Sequence, residues 1–223
     1  MTKINGLTQL NLPPTMKWCT IFEDMSTRWD ISASTGSVVE LVNDGVHLVA
    51  DNDGGDFAGY SCNLTQYEGN NNPLIGNAIF TVNCRAFAFD STDVEIRLAL
   101  GDCNVGALSR AWIQKHAGFK FKRISGGTMT LHASQGNGTT EAESASLVAF
   151  SDGDSFDLIF RANSSAGSID YYARKNNGEL IGPVTLTTSY PPDQNGKMSF
   201  SAENYNSSTN GATLELSCAS WER

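Results

Sequence analysis

Residues 93–100 read DVEIRLAL, and the alternation in this stretch decides the fold class. From position 94 to position 100 each even position is apolar, whereas positions 95 and 97 carry opposite charges. Because successive side chains of a strand point to opposite faces, the stretch predicts a β-strand with one face in a hydrophobic core. The core face would hold Val94, Ile96, Leu98 and Leu100, and the other face Glu95 and Arg97.

The runs on either side of this stretch have the same two-residue period. Before it lies AIFTVNCRAFAF (78–89), and after it lies GFKFKRI (118–124). Turn signals typical of β-hairpins separate other runs, at Asn43-Asp44-Gly45 and Asn176-Asn177-Gly178. About a dozen such runs predict an all-β fold, an antiparallel two-sheet jelly-roll sandwich. The one segment with helical character, ALSRAWIQKHA (107–117), would form a short helical turn or a lid-like loop.

The 223 residues are expected to form a single sandwich domain over residues 18–223, with a short N-terminal arm or linker over residues 1–17. A chain of this length can bury one large core without disulfides. Pro13-Pro14 ends any regular element in the arm. The arm would pack on the body or on a neighbouring subunit, or it would be a loose end.

The composition excludes several classes of function. A net charge of −9 disfavours nucleic-acid binding, because the phosphate backbone repels an acidic chain. No window reaches the ~18 apolar residues of a membrane helix, and residues 1–12 do not resemble a secretory signal. Five cysteines without a CxxC pair indicate neither a zinc ribbon nor a redox motif, and free thiols favour folding in a reducing cytosol.

Three groups of residues follow one another in a recognisable order. They are Ile21-Phe22-Glu23-Asp24 with Trp29, then Phe156–Arg161 with Gly167 and Ser168–Gly178, and last Leu214–Trp221. This order resembles the concanavalin A-like lectin/glucanase superfamily over most of residues 18–223, which implies a concanavalin A-like jelly roll. Because that superfamily contains lectins, glycan-cleaving enzymes, receptor modules and virion proteins, the resemblance does not fix a function.

The N-terminal segment KINGLTQLN (3–11) is similar to the short linkers that precede modules in bacteriophage tail-fibre and virion proteins. Together with the missing signal and the free cysteines, this similarity implies a virion protein assembled in the host cytoplasm. Such proteins are often dimers or trimers whose arms embrace a neighbour.

Catalysis of glycan cleavage would need two carboxylates ~5 to ~9 Å apart across a groove. The E-x-D-x-x-E pattern of the superfamily's retaining glucanases is absent from the sequence. Asp93 and Glu95 share a strand face, but Arg97 follows them, so the three residues would equally form a charge cluster. An enzyme with a different acid pair, drawn from Asp93, Glu95 or Glu203, is the alternative.

The cluster DNDGGD (51–56) is the one candidate metal site. Asp51, Asp53 and Asp56 would offer hard oxygen ligands on a flexible loop, which suits calcium. Turns rich in Asp, Asn and Gly also occur simply because they turn the chain, so a plain loop is the alternative. No other cofactor is indicated.

Binding of a glycan would need exposed aromatic rings beside amide or carboxylate groups. The candidates are Trp112, His116, Tyr60, Tyr67 and Tyr205. The alternative is that these rings fill the edges of the sandwich, because large aromatic side chains are usually mostly buried.

Taken together, the sequence favours a non-catalytic virion or surface-recognition module, such as a phage tail or capsid-decoration protein. Its partner would be a glycan or a neighbouring virion subunit, with homo-oligomers expected and membrane insertion not expected. A glycan-cleaving hydrolase or lyase on the same fold is the first alternative, and a scaffold domain without a ligand is the second.

Overall fold

A computed structural model of the chain describes residues 29–42, 45–51, 54–63, 78–87, 93–101, 111–191, 197–205 and 213–222. Every regular element in these ranges is a β-strand, so they contain no helix that could cross a membrane. The strands are β1 Trp29–Ala33, β2 Val38–Val42, β3 Gly45–Val49, β4 Phe57–Asn63, β5 Ile79–Phe87, β6 Val94–Gly101, β7 His116–Arg123, β8 Thr130–Gly136, β9 Glu141–Glu143, β10 Val148–Ala149, β11 Ser155–Asn163, β12 Ser168–Lys175, β13 Leu180–Leu186, β14 Lys197–Asn204 and β15 Thr213–Glu222.

The strands form two antiparallel sheets. One has eight strands in the order β1-β4-β14-β6-β7-β8-β10, with β9 also paired to β8. The other has seven strands in the order β13-β12-β11-β5-β15-β3-β2. Neighbours such as β14 and β6 are far apart in the chain, as expected when strands pass back and forth between two sheets. The prediction of an all-β two-sheet jelly-roll sandwich is confirmed.

The hydrophobic core lies between the two sheets and follows the alternation of the strands. All four apolar residues predicted from the stretch DVEIRLAL are in it. Aromatic rings meet across the interface, where Phe121 of β7 lies 5.0 Å from Phe156 of β11 and Phe119 lies 5.5 Å from Tyr171 of β12. Burial of each such ring stabilises the fold by about 1.5–3 kcal/mol. A one-residue slip of β7 would bring Lys120 inward, so these rings also fix the register.

Both predicted hairpins are present. The β12–β13 turn holds Asn176 and Asn177 at φ 49° and 56°, in the left-handed region that Asn tolerates better than most residues. Strands β2 and β3 pair from Val42 with Gly45 onward, although the two turn residues between them lie outside the described ranges. The predicted arm over residues 1–17 lies wholly outside them.

The segment predicted as a helical turn or a lid-like loop is described from residue 111 onward. Residues 111–115 are irregular, with a bend at Gln114–Lys115, and β7 begins at His116. A helical turn is therefore absent from the described part of the segment. Instead, this stretch lies against the outer face of the eight-stranded sheet, as the contacts of Trp112 below show.

The edges of the two sheets differ. In the seven-stranded sheet, the edge strand β13 contains Pro183, which has no N–H group to offer another strand. In the eight-stranded sheet, the edge strand β1 carries Ile31 with 49% of its surface exposed. No described strand pairs with the outer side of β1.

Candidate functional site: the polar face

The outer side of the eight-stranded sheet carries polar and charged side chains that are buried at its centre and partly exposed at its border. These side chains belong to strands β6, β7, β8, β9 and β14, and the alternation of each strand turns them away from the core. We call this surface the polar face; its members are Glu95, Arg97, His116, Lys120, Lys122, His132, Ser134, Glu141, Glu143, Ser201 and Glu203. Arg97 is 0% exposed, Lys120 1% and Glu203 3%, so the centre of the polar face is as closed as the core.

Arg97 is the centre of the first charge cluster. Its Nε donates to Glu95 Oε1 at 2.6 Å, and its Nη1 lies 3.7 Å from Glu203 Oε1. Its Nη2 donates to the hydroxyl of Tyr205 at 2.8 Å, and that hydroxyl donates to Glu203 Oε2 at 2.9 Å. Glu95 and Glu203 are directly opposite each other in the β6–β14 ladder. One guanidinium therefore serves two facing carboxylates.

Lys120 is the centre of the second cluster. Its Nζ lies 2.5 Å from Glu141 Oε1, 3.2 Å from Glu143 Oε2 and 3.7 Å from Glu95 Oε1. Lys122, next along the same face, pairs with Glu143. Taking such charges out of water is costly, and close opposite charges offset the cost only when the geometry is good. The clusters therefore depend on all their members being in place.

Trp112 covers the space between the two clusters. Its ring lies 5.5 Å from the Arg97 guanidinium carbon and 5.9 Å from Lys120 Nζ, within the range of cation–π attraction. Its backbone N–H donates to Glu141 Oε2 at 2.7 Å. The indole also packs on Ala99, and a Cβ on the neighbouring Gly118 would come within 2.9 Å of the Ala99 Cβ. The missing Cβ of Gly118 thus leaves room for Ala99, on which the indole packs.

His116 lies under Trp112, with the two rings parallel and 3.5 Å apart. Its Nδ1 is 2.8 Å from the Gln114 carbonyl oxygen, which can only accept, so Nδ1 carries the donated hydrogen. Burial lowers the pKa of His116 well below its usual value, with Lys120 and Arg97 acting in the same direction. The ring is therefore neutral, and its Nε2 faces Ser134 Oγ at 2.9 Å as an acceptor. Ser134 also donates to Glu141 at 2.6 Å, so its one hydrogen has two acceptors.

The two facing carboxylates differ in their surroundings. Burial raises the pKa of Glu203 to about 7, against the opposing effect of Arg97. Burial also raises the pKa of Tyr205, so its hydroxyl keeps its hydrogen. Glu95 is held by Arg97 at 2.6 Å and approached by Lys120 at 3.7 Å. Glu203 is therefore partly protonated near neutral pH.

The aromatic residues predicted to bind a ligand lie in different parts of the structure. Trp112 and His116 are brought together, but both are fully buried, so the expectation that they are exposed was wrong. The same expectation was wrong for Tyr60, whose side chain is in the core because it is on the inward face of β4. Tyr205 is half-buried at the border of the polar face, beside Glu203. Tyr67 lies outside the described ranges.

Of the three acids considered for catalysis, two lie together and the third does not. Glu95 and Glu203 face each other, whereas the Asp93 carboxylate accepts a hydrogen bond from the Ser125 backbone at 2.8 Å. The reasoning from sequence missed Glu141 and Glu143. Their alternation around Ala142 was the available signal, since it places both carboxylates on one face of a short strand.

The proposed calcium loop is described only in part, because Asp53 lies outside the described ranges. The backbone oxygens of Asp51 and Asp56 accept hydrogen bonds from Asn204 at the end of β14, at 2.9 and 2.8 Å. Among the described residues, no three acidic, histidine or cysteine side chains converge as metal ligands would. Calcium binding by Asp51, Asp53 and Asp56 stays a prediction.

Searches of known protein families and of curated proteins give no match to this sequence. Solved structures do match. The CBM2 module of the evolved Dit protein of Lactobacillus casei BL23 phage J-1 has a TM-score of 0.63 at 9% identity, covering 93% of this chain and 96% of its own. A Bacillus licheniformis β-glucanase has a TM-score of 0.61 at 13% identity, covering 93% and 98%. Peanut lectin has a TM-score of 0.59 at 12% identity, covering 93% and 96%.

The fold is a concanavalin A-like jelly roll. At these identities the similarity concerns the path of the backbone, and residue roles do not transfer with it. Lectins, a phage module and a glucanase are all built on this concanavalin A-like jelly roll.

Proposed function

We propose that the chain is a non-catalytic recognition module that binds a glycan at the border of the polar face. One observation carries the proposal: the carboxylates at the centre of the face are bound to Arg97 and Lys120, while polar groups at its border keep partial exposure. The central carboxylates are paired with these cations, so they stabilise the face and are not available to a ligand. The partly exposed polar groups at the border can contact a ligand.

The border offers the groups that sugars need. The side chains of Lys122, His132 and Glu143 are 13%, 12% and 28% exposed, and they combine donors and acceptors for sugar hydroxyls. Tyr205 adds a half-buried aromatic ring that can pack against an apolar sugar face. The lectin-like fold and the phage module among the similar structures support this proposal.

The test is binding of the purified chain to an array of bacterial and host glycans, followed by calorimetry on the glycans that bind. Substitution Tyr205→Ala should weaken binding by about tenfold, which corresponds to ~1.4 kcal/mol. The matched control is Tyr172→Ala, because Tyr172 has intermediate exposure on the outer face of the other sheet. Equal affinities of both variants, or no bound glycan at all, would count against the proposal.

We further propose that the module is part of a phage virion, as a tail or capsid-decoration protein assembled in the host cytoplasm. The similar phage module and the linker-like segment 3–11 support this assignment. Neighbouring genes for capsid, portal or tail proteins, and the chain itself in virions analysed by mass spectrometry, are the expected results. Its absence from purified virions would refute the assignment and leave the glycan proposal standing.

A second candidate function is glycan cleavage, favoured by the facing pair Glu95 and Glu203. A carboxyl group with a raised pKa, such as Glu203, can act as the acid beside a second carboxyl group. Access to a substrate would require displacement of Trp112 and Tyr205, which is why we rank this function second. A reducing-sugar assay over a polysaccharide panel decides the matter. Activity abolished by both Glu95→Gln and Glu203→Gln, but kept by Glu143→Gln, would establish an enzyme.

A further inference from the structure

The outer side of the seven-stranded sheet carries charges in an ordered pattern. On β11 the neighbouring residues Leu158 and Phe160 lie in the core, so Asp157, Ile159 and Arg161 point outward. The outward side chains of this strand are therefore, in chain order, negative, apolar and positive.

The adjacent strand β12 repeats this order. Its residues Ile169 and Ala173 lie in the core, so Asp170, Tyr172 and Arg174 point outward. Their order is negative, aromatic and positive. Because β11 and β12 are antiparallel, the acidic end of one strand lies beside the basic end of the other.

The register arranges these six side chains, which we call the back face, in three rows of two. They are Asp157, Ile159, Arg161, Asp170, Tyr172 and Arg174. Ile159 is opposite Tyr172 in the middle row. Asp157 is opposite Arg174 in one outer row, and Arg161 is opposite Asp170 in the other. The sign of the charge therefore alternates from each corner of the back face to the next.

The four charged corners are accessible and held in place. Arg161 is exposed, and the other three charged side chains have intermediate exposure. Asp157 Oδ1 accepts a hydrogen bond from Asn83 Nδ2 at 2.5 Å, and Asp170 Oδ1 accepts one from Thr185 Oγ1 at 2.6 Å. These bonds fix the direction of both carboxylates and come from neutral groups. The corners can therefore meet charges of another molecule.

The pattern is complementary to itself under a two-fold rotation. An axis that runs across the strands, along the apolar row, exchanges the two ends of every strand. Asp157 of one copy then meets Arg161 of the other, and Arg174 of one copy meets Asp170 of the other. Each corner faces an opposite charge, as an isologous interface requires. Such matching matters because two copies with a net charge of −9 each repel one another elsewhere.

The area of the sheet selects this axis over one that runs along the strands. An axis between β11 and β12 would also match the charges, but it would superpose only β13, β12, β11 and β5, which is roughly 400 Å² per copy. The axis across the strands superposes all seven strands, which lie about 4.8 Å apart and are about 25 Å long, or roughly 700 Å² per copy. A standard interface buries about 800 Å² per partner.

We propose that the chain forms a homodimer in which two copies pack back face to back face about this axis. The polar faces then lie on the two outer sides of the dimer and point away from each other, because each belongs to the other sheet of its sandwich. Such a dimer would bind two separate glycan chains. That consequence rests on the proposed function, whereas the dimer itself does not.

Sedimentation equilibrium of the purified full chain is the first test. The expected mass is twice that of one chain, and it should fall on dilution and at high salt, which screens the four ion pairs. Arg161→Asp should raise the dissociation constant of the dimer by about a hundredfold or more, because symmetry places two like-charge contacts in the interface. A chain that is monomeric at about 1 mM, or a dimer that Arg161→Asp leaves intact, would overturn the proposal.

Two exchange variants separate the interface from ion pairs within one chain, and circular dichroism checks that both are folded. Asp157→Arg with Arg161→Asp puts like charges opposite each other within the sheet but restores opposite charges across the axis, so this variant should dimerise. Arg161→Asp with Asp170→Arg does the reverse and should stay monomeric. A dimer formed by the second variant and not by the first would overturn the proposed axis.

Calorimetry keeps this proposal distinct from glycan binding. The affinity per chain for a glycan should be equal in the dimer and in the Arg161→Asp monomer, because the polar face is on the other sheet. A dimer that binds no glycan would refute the proposed function alone. A monomer that binds glycan would refute the dimer alone.

Discussion

The substitution Glu203→Gln should change the pH dependence of stability more than the stability itself. Folding raises the pKa of this carboxyl from 4.5 to about 7. The folded state therefore binds the proton more tightly than the unfolded state. The resulting stabilisation is fully present below about pH 4.5, and it is lost as pH rises through about 7. Because each tenfold change in proton affinity corresponds to ~1.36 kcal/mol, the rise of the pKa from 4.5 to about 7 gives about 3 kcal/mol.

Urea unfolding at a series of pH values measures this difference. The Gln side chain keeps the neutral hydrogen-bonding pattern at every pH, so the variant should gain on the unaltered protein by about 3 kcal/mol between about pH 4.5 and about pH 8. With an unfolding slope of about 3 kcal/mol per molar urea, the relative midpoint moves by about 1 M.

The control for this series is Glu143→Gln on the same face. Burial opposes ionisation of Glu143, but Lys122 and Lys120 outweigh it and lower the pKa. Its contribution to stability therefore has the opposite sign, being present at high pH and lost as pH falls. Stability profiles of Glu203→Gln and the unaltered protein that run parallel from acid to mildly alkaline pH would refute the reasoning.

Three further outcomes are expected. Trp112→Ala should lower the free energy of unfolding by about 3–5 kcal/mol in chemical denaturation, because a large buried side chain is lost; a change below about 1 kcal/mol would contradict its buried placement. Lys120→Met should cost about 3–5 kcal/mol by stranding Glu141, and adding Glu141→Gln should recover part of that in a double-mutant cycle; strict additivity would contradict the pairing. Gly118→Ala should prevent folding as followed by circular dichroism, because its Cβ would lie 2.1 Å from a backbone oxygen, whereas Gly167→Ala, with no atom within 4 Å, should cost only about 1 kcal/mol for its φ of 60°.

Much of the fold could be predicted from sequence because alternation is a local property. The stretch 93–100 places its apolar residues in the core, and in β5 the residues Phe80, Val82, Cys84 and Ala86 do the same. The hairpin at Asn176-Asn177-Gly178 also depends only on neighbouring residues. The order of strands within each sheet could not be predicted in this way. Pairs such as β14 with β6 join segments that are far apart in the chain, so they do not depend on neighbouring residues alone.

The candidate site was harder to predict for the same reason. Alternation assigns Glu95 and Arg97 to the face away from the core, but it does not show whether that face is covered. The covering residue Trp112 comes from an irregular segment, and Arg97 meets Tyr205 across 108 residues of chain. Trp112, His116 and Tyr60 are buried, which agrees with the alternative that such rings fill the sandwich. Of the charge cluster expected for Asp93, Glu95 and Arg97, the structure shows the pair Glu95 and Arg97.

Among the described strands, the sheet edges differ in how readily they would accept a further strand. Proline on β13 closes one end of the seven-stranded sheet, but β1 presents a five-residue edge with a half-exposed isoleucine and neither proline nor lysine. Such an edge is a template for further strands in concentrated solution. Attempts to concentrate, store or fuse this protein should therefore begin by placing a lysine at position 31.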